Sequence, residues 1–323
     1  MRVDHLFYQL NSDQVLDSVE RALNRKELGR RATGSLLALN SLENRVYQIE
    51  FEDRVRFVAK FYRPGRWSKK QVLEEHQFLN RLVEAEIPAI APIALDQTAD
   101  GIFFAVFPSV GGRLLDELSD THLRVLGRHL GRIHRIGSTI TRSSRKRIDC
   151  DQFARVPLRN LKSQKVFETP SLEAHYTDIV EKIIQLGEPL LASARYFLVH
   201  GDCHLGNTLW QGESCFFLDF DDLCLAPAVQ DVWMIVRGRD EMAIKDRETL
   251  LEAYEQFQDF DPTELRLIEL LRALRIIHYS SWIADRWDDP SFPRAFPDFG
   301  NTKYWQEETS ELYQCWESLA HPQ

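Results

Sequence analysis

The sequence predicts an α+β protein in two lobes, a small β-rich one followed by a larger, mainly helical one. Three observations lead to this. Strand-like alternation is concentrated between residues 45 and 108, and helical periodicity dominates beyond Gly112. Between them lies FPSVGG, a Pro- and Gly-containing connector suited to a hinge. The expected division is 1–108 for the N-terminal lobe and 109–323 for the C-terminal lobe, sizes at which each can bury a core.

Taken in order, SDQVLDSVERALNRKEL (12–28) predicts a helix with Ser12 as N-cap and Val15, Val19, Ala22 and Leu23 on one face. In NRVYQIEFEDRVRFVAKFYRP, Tyr47, Ile49 and Phe51 alternate with polar residues. Glu52 and Asp53 form a turn, and Val55, Phe57, Ala59 and Phe61 alternate again. That pattern is a hairpin with Arg56, Val58 and Lys60 on the opposite face from Phe57 and Ala59. A helix follows at 68–86, opened by a Ser68/Gln71 capping box. Glu75 shares its apolar stripe with Phe78, Leu79 and Leu82. A buried carboxylate there needs a partner, and Lys60 is the expected one. GIFFAVFPSVGG (101–112) reads as a buried strand running into the hinge. Helices are expected at 121–136, 173–193, 247–258 and 263–287, with one β section at 197–220 between them.

Composition bounds the function. A net charge of -9 argues against broad attraction to nucleic acid or an anionic membrane. Five scattered cysteines with no CxxC pair fit a reducing compartment better than a disulfide framework. The N-terminal MRVDHLFYQLNSDQ lacks the layout of a signal peptide, and no apolar run is long enough to span a bilayer. The expectation is a cytoplasmic protein, monomeric by default because no coiled-coil pattern occurs.

The chemistry concentrates in LVHGDCHLGNTLW (198–210). His200, Cys203 and His204 have the donors of a transition-metal site, but no fourth ligand lies at zinc-like spacing and the glycines oppose a helical HExxH arrangement. The same stretch holds Asp202 and Asn207, five apart. Two short strands follow, Thr208–Trp210 and Cys215–Leu218, joined by QGES, so a hairpin would bring Asn207 beside Asp219. An Asp that orients a hydroxyl, an amide oxygen and a second carboxylate together form the set needed for phosphoryl transfer with a hard cation such as Mg²⁺. Lys60 in VAK, Glu75 on the next helix and the hinge come earlier, in the order found in protein kinases. A Lys60–Glu75 ion pair is therefore expected.

HGDCHLGN with LDFDD, supported by FVAKFY, EEHQFL and APAVQDVWM, resembles the aminoglycoside phosphotransferase and choline kinase superfamily, which has a protein-kinase-like fold. More narrowly, NSLENRVYQ, RFVAKFYRPGRW, LEEHQF, FAVFPSVGGR, VHGDCHLGN and PAVQDVWM resemble the stress response kinase A family, over most of the chain. That resemblance implies a cytoplasmic Ser/Thr protein kinase acting in a stress response, using ATP and Mg²⁺ on a protein hydroxyl, its own included. A kinase of small molecules (amino alcohols, sugars or aminoglycosides) is the alternative. By position, Asp202 is implied as catalytic base, Asn207 and Asp219 as Mg²⁺ ligands, Lys60 as phosphate holder and Glu75 as the group that orients it. Ser41, in NSLEN, is implied at the ATP phosphates in place of a GxGxxG loop, and the N-terminal lobe becomes the ATP-binding one. Asp231 resembles the acid that braces the catalytic loop through backbone N–H groups, although a helix N-terminal acid explains it equally. DFDD replaces DFG, and no APE-bounded activation loop occurs.

Three further features stay secondary. Loop acidity is the simple reading of Asp221 and Asp222, with a part in metal or substrate binding as the alternative. TRSSRKR (141–147) reads as a solvated surface loop, with a phosphorylation site at Ser143 and Ser144 or a contact for an acidic partner as the alternatives. Trp282, Asp285, Trp287, Asp288 and Asp289 read as packing and surface groups, or as the lining of a pocket for a cation.

Overall fold

A five-stranded antiparallel sheet organises the N-terminal lobe in the computed structural model, which describes residues 7–321; residues 1–6 and 322–323 of the expected lobes lie outside the described residues. Its strands are β1 (Ala32–Leu39), β2 (Arg45–Phe51), β3 (Arg56–Phe61), β4 (Ala94–Gln97) and β5 (Phe103–Pro108), in the order β1-β2-β3-β5-β4. The expected hairpin is β2–β3, with Ile49 opposite Phe57 and Val46 opposite Lys60. One face carries Ile49, Phe51, Phe57, Ala59, Phe61 and Phe104, all buried against Val15, Val19 and Leu23 of helix α1 (Ser12–Asn24). Each such large side chain contributes about 1.5–3 kcal/mol of burial. With that face committed, the two-residue period of β3 turns Val58 and Lys60 the other way.

Helix α1 differs from expectation at both ends. Its N-cap is Asn11 rather than Ser12: the Asn11 side chain accepts from Gln14 N at 2.9 Å while Gln14 Oε1 accepts from Asn11 N at 3.1 Å. It stops at Asn24, and left-handed backbone follows at Glu27 (φ 60) and Gly29 (φ 48). Helix α2 (Lys69–Glu84) begins as expected at the Ser68/Gln71 capping box. Strands β1 and β4 were not anticipated. The first has an irregular register and mixed burial, and the second is four residues long.

The C-terminal lobe is mainly helical. It comprises α3 (Asp120–Gly137), α4 (Val156–Ser163), α5 (Pro170–Ala192), α6 (Val229–Ile235), α7 (Glu241–Tyr254), α8 (Ile268–Asp285), α9 (Ser291–Ala295) and α10 (Thr302–Ala320). Between α5 and α6 lie strands β6 (Phe197–Val199), β7 (Thr208–Gln211), β8 (Ser214–Phe217) and β9 (Cys224–Ala226). Helices α3 and α7 approach closely because Gly127 has no Cβ, which would run into the Leu250 carbonyl. Helix α7 starts at Glu241, earlier than expected, where the Asp240 side chain caps Ala243 N at 2.8 Å. Helices α4, α9 and α10 were not anticipated; α10 seals the lobe with buried Trp305, Leu312 and Cys315. Among the described residues no helix is long and apolar enough to cross a membrane, and all five cysteines are buried free thiols.

Candidate active site

A cleft of about 1820 Å³ lies between the lobes, lined by Ser41, Lys60, Glu75, Asp202, Asn207 and Asp219. Both lobes build it. Hairpin β7–β8 pairs Thr208 with Phe217 and Gln211 with Ser214, so its turn is Gly212–Glu213, tighter than the QGES expected. Gly212 takes φ 61, as such a turn needs. The hairpin returns the chain beside its own start: Leu218 N donates to Asn207 O at 2.9 Å, which places Asp219 next to Asn207. Asp219 itself adopts φ 55, a left-handed conformation uncommon for a residue with a side chain.

The loop carrying Asp202 is held from behind by Asp231. Fully buried on α6, Asp231 accepts from His200 N and Gly201 N at 2.8 Å each and meets His134 Nε2 at 2.9 Å. Asp231 lies in the first turn of α6, as a helix N-terminal acid would, and it also makes the backbone contacts of the brace the family resemblance implied. Gly201 (φ 86) is required here, since a Cβ would strike the Asp222 carbonyl and the Cys224 Sγ. Asn207 Nδ2 donates to Asp202 O at 2.9 Å. Asp202 Oδ2 lies 3.5 Å from His204 Nε2, and Asp202 Oδ1 lies 2.8 Å from Arg275 Nη1. The Arg275 contact lacks hydrogen-bond alignment, and Asp202 Oδ1 is buried without a hydrogen-bond donor among the described residues. Burial pushes the Asp202 carboxyl up, but the His204 hydrogen bond and the Arg275 charge outweigh it and hold the group well below the ordinary range.

Lys60 reaches the same point from β3. Its Nζ donates to Asp219 Oδ1 at 2.7 Å and also to Asp221 Oδ1. Burial works against its charge, but Asp219, Asp221 and Glu75 keep the ammonium well above the usual lysine range. The expected direct Lys60–Glu75 ion pair is not formed, because Lys60 is taken by the two aspartates. Glu75 is 1% exposed and its Oε2 has no hydrogen-bond partner among the described residues. Burial, then the Asp221 charge, raises the Glu75 carboxyl despite Lys60. Ser41 lines the cleft, where its Oγ accepts from Asn44 N at 3.1 Å and shapes the NSLEN turn.

The donor set suits a hard divalent cation. With Asn207 Nδ2 committed, the amide oxygen enters no hydrogen bond among the described residues, and Asp219 is half exposed toward the cleft. Hard oxygens of this kind fit Mg²⁺. Among the described residues no group of three or more His, Cys, Asp or Glu could hold a metal ion. His200 Nε2 instead meets the Leu218 carbonyl at 2.8 Å and Cys203 is fully buried, so both shape the loop.

Sequence reasoning missed several residues. Asp221 is 2% exposed and not loop acidity: it accepts from Asn44 Nδ2 at 2.5 Å as well as from Lys60. TRSSRKR is not a solvated loop throughout. Arg145 is buried, donating to Leu223 O at 2.6 Å, to Gln71 O at 3.1 Å and to Asp221 O, with its guanidinium 4.2 Å from the Trp67 ring centre. Ser143 and Ser144 donate to Glu74 on α2. Glu43 bridges the lobes, accepting from Trp282 Nε1 at 2.6 Å and from Arg286 Nε at 2.6 Å. Arg63 joins Asp289 at 2.9 Å, and Arg66 joins Asp222 at 2.6 Å. The one available signal was the run of arginines after β3 opposite DFDD; which acid each meets is set by tertiary distance.

The sequence profile of the phosphotransferase enzyme family matches residues 35–268. Stress response kinase A of Escherichia coli strain K12 is 39% identical over 321 residues, covering 98% of this chain and 95% of that protein. A Salmonella typhimurium relative described as serine/threonine protein kinase RdoA is 37% identical over 326 residues, with the same coverage of each. Among solved structures, amicoumacin kinase hAmiN in complex with AMP-PNP, Ca²⁺ and Ami superposes with a TM-score of 0.68 at 17% identity, covering 96% of each chain. That likeness establishes the kinase-like two-lobed fold.

Proposed function

The chain belongs to the phosphotransferase enzyme family, in its stress response kinase A group, and on that premise we propose that it is an ATP-dependent serine/threonine protein kinase. The observation that carries this reading is the meeting of Lys60, Asp202, Asn207 and Asp219 in one inter-lobe cleft. In the proposed reaction the acceptor oxygen bonds to the γ-phosphorus of ATP as the bond from that phosphorus to the β,γ-bridging oxygen breaks. ADP leaves, and the hydroxyl proton passes to Asp202. Lys60 holds phosphate oxygens, the NSLEN turn with Ser41 covers them, and Glu75 receives Lys60 when nucleotide draws it from the aspartates. Asn207 and Asp219 would hold Mg²⁺, which neutralises phosphate charge when bound. Residues 1–108 supply the ATP-binding lobe and 109–323 the catalytic and substrate lobe.

The protein-acceptor part rests on the relatives named as kinases along nearly the whole chain, one of them as a serine/threonine protein kinase. The same reading places the chain in the cytoplasm as a monomer, acting on proteins, itself included, rather than on nucleic acid or membrane. A second reading, a small-molecule kinase, is favoured by solved structures of similar fold whose names carry small acceptors, such as an aminopropanol kinase with a TM-score of 0.61.

Wild type and Asp202→Ala are incubated with Mg²⁺ and ATP labelled in the γ-phosphoryl, first with generic proteins, then with choline, homoserine and aminoglycosides. Label on protein in wild type alone is expected, with Asp202→Ala slower by about 10²–10⁴-fold. Label on a small acceptor only would replace this reading with the second.

A further inference from the structure

We propose that Arg275 is the specificity-determining residue of the acceptor site, selecting a hydroxyl flanked by an anionic residue, so that the substrate class is an acidic peptide segment. The inference deepens the protein-kinase reading and rests on it.

The first support is position. Arg275 projects from α8 and is about a third exposed, with Nη1 2.8 Å from Asp202 Oδ1. That oxygen is buried and receives no hydrogen bond among the described residues, so an acceptor hydroxyl that is to give it a proton must displace the guanidinium. Arginine leaves a carboxylate readily only for another planar or multi-oxygen anion, to which it donates in a fork. A carboxylate or phosphate next to the acceptor hydroxyl provides that anion at the moment the hydroxyl arrives. An ammonium on the acceptor would instead meet a like charge and offer the guanidinium no new partner.

The second support is the balance of charge on the C-terminal wall of the cleft. Lys146 lines the same space and forms no ion pair among the described residues. Most of the acids that could recognise a cationic acceptor are already engaged. Glu43 is held by Trp282 and Arg286, and Asp289 by Arg63. Asp222 is held by Arg66, and Asp285 accepts from Asn160 and Gln164. Asp288 is the remaining carboxylate of that wall, exposed and without a partner among the described residues. Arg275, although paired with Asp202, is the cation that an acceptor approaching Asp202 meets, and Lys146 adds a second positive charge to the lining; cations so placed attract an anionic group.

The test uses full-length enzyme, Mg-ATP and three matched serine peptides flanked by Glu, Ala or Lys, with a phosphoserine-flanked peptide to separate carboxylate from phosphate. The variants are Arg275→Gln, Arg275→Lys and Arg275→Glu, with circular dichroism confirming that each is folded. The expected wild-type order is acidic over neutral over basic, by about tenfold per step in kcat/KM. Arg275→Gln should bring the acidic-to-neutral ratio close to one, mainly through KM. Arg275→Lys should retain part of it, and Arg275→Glu should favour the Lys-flanked peptide. Labelling that is indifferent to charge, or that prefers basic flanks in wild type, overturns the inference and leaves the protein-kinase reading standing. An unchanged acidic preference in Arg275→Gln and Arg275→Glu overturns the role of Arg275. Failure to label any peptide, with a small acceptor labelled instead, overturns the protein-kinase reading and this inference together.

Discussion

Lys60 Nζ sits 2.7 Å from Asp219 Oδ1, while Glu75, the acid that sequence order assigns to it, has a buried Oε2 with no hydrogen-bond partner among the described residues. In the proposed cycle the lysine rests on the aspartates of DFDD and moves toward Glu75 when nucleotide binds. Lys60 occupies one of the two Asp219 carboxylate oxygens, Oδ1.

Lys60→Met and Glu75→Gln should therefore separate. Lys60→Met removes the proposed phosphate contact, and the expected outcome is an ATP KM raised at least about tenfold with kcat lowered as well. Glu75→Gln leaves the resting contacts of Lys60 untouched, so nucleotide-free stability is kept while kcat falls about 10–100-fold. Steady-state kinetics with urea unfolding tests both. A Glu75→Gln enzyme with normal kcat would remove Glu75 from the cycle.

Asp231→Asn tests the brace behind Asp202. The variant amide offers one acceptor oxygen where the carboxylate offers two, so one of the His200 and Gly201 N–H groups is left buried without a partner. A loss of about 1–3 kcal/mol in stability is expected. Turnover should fall about 100-fold, because the loop that aims Asp202 is no longer held. Denaturant unfolding and kcat measured on the same preparations give the answer; full activity would mean that the loop keeps its shape without this acid.

Arg145→Met probes the staple between α2 and the DFDD loop. Three carbonyls, of Gln71, Asp221 and Leu223, lose their donor inside the protein. The expected destabilisation is about 3 kcal/mol or more, with weakened Mg-ATP binding because Asp221 steadies Lys60. If calorimetry with and without Mg-ATP shows no change, the loop does not depend on Arg145.

Glu308→Gln addresses pH. Burial, only partly offset by the Ser280 hydrogen bond, pushes the Glu308 carboxyl up to about 7. The folded state then binds this proton more tightly than the unfolded chain, so wild-type stability falls as pH rises from the ordinary glutamate range through about 7. The variant loses that fall. Its unfolding free energy should exceed that of wild type by roughly 1–3 kcal/mol at pH 8 and differ little at pH 4.5. Equal pH profiles for the two proteins would contradict a raised Glu308.

Much of the site was legible in the chain because its parts are local. The Ser68/Gln71 cap, the Tyr47–Phe61 alternation and the Asp202-to-Asn207 spacing each act within a few residues, and local hydrogen bonding or a two- or 3.6-residue period settles them. The short β7–β8 turn likewise brings Asp219 beside Asn207. Strands β1 and β4 escaped notice because partial burial blurs one pattern and the other is too brief to have one.

The sequence by itself determined the two-lobed α+β class, the order of the residues proposed for phosphoryl transfer and the face from which Lys60 projects. Only the tertiary structure decided which acid Lys60 holds, that Arg145 is buried, that Glu43 ties the lobes together and that Arg275 stands before Asp202. These partners are far apart in the chain: Lys60 and Asp219 are 159 residues apart, and Glu43 and Arg286 are 243 apart. Several arginines and several carboxylates of similar chemistry compete along the sequence, and close-range electrostatics and hydrogen-bond geometry choose between them only once packing has set the distances.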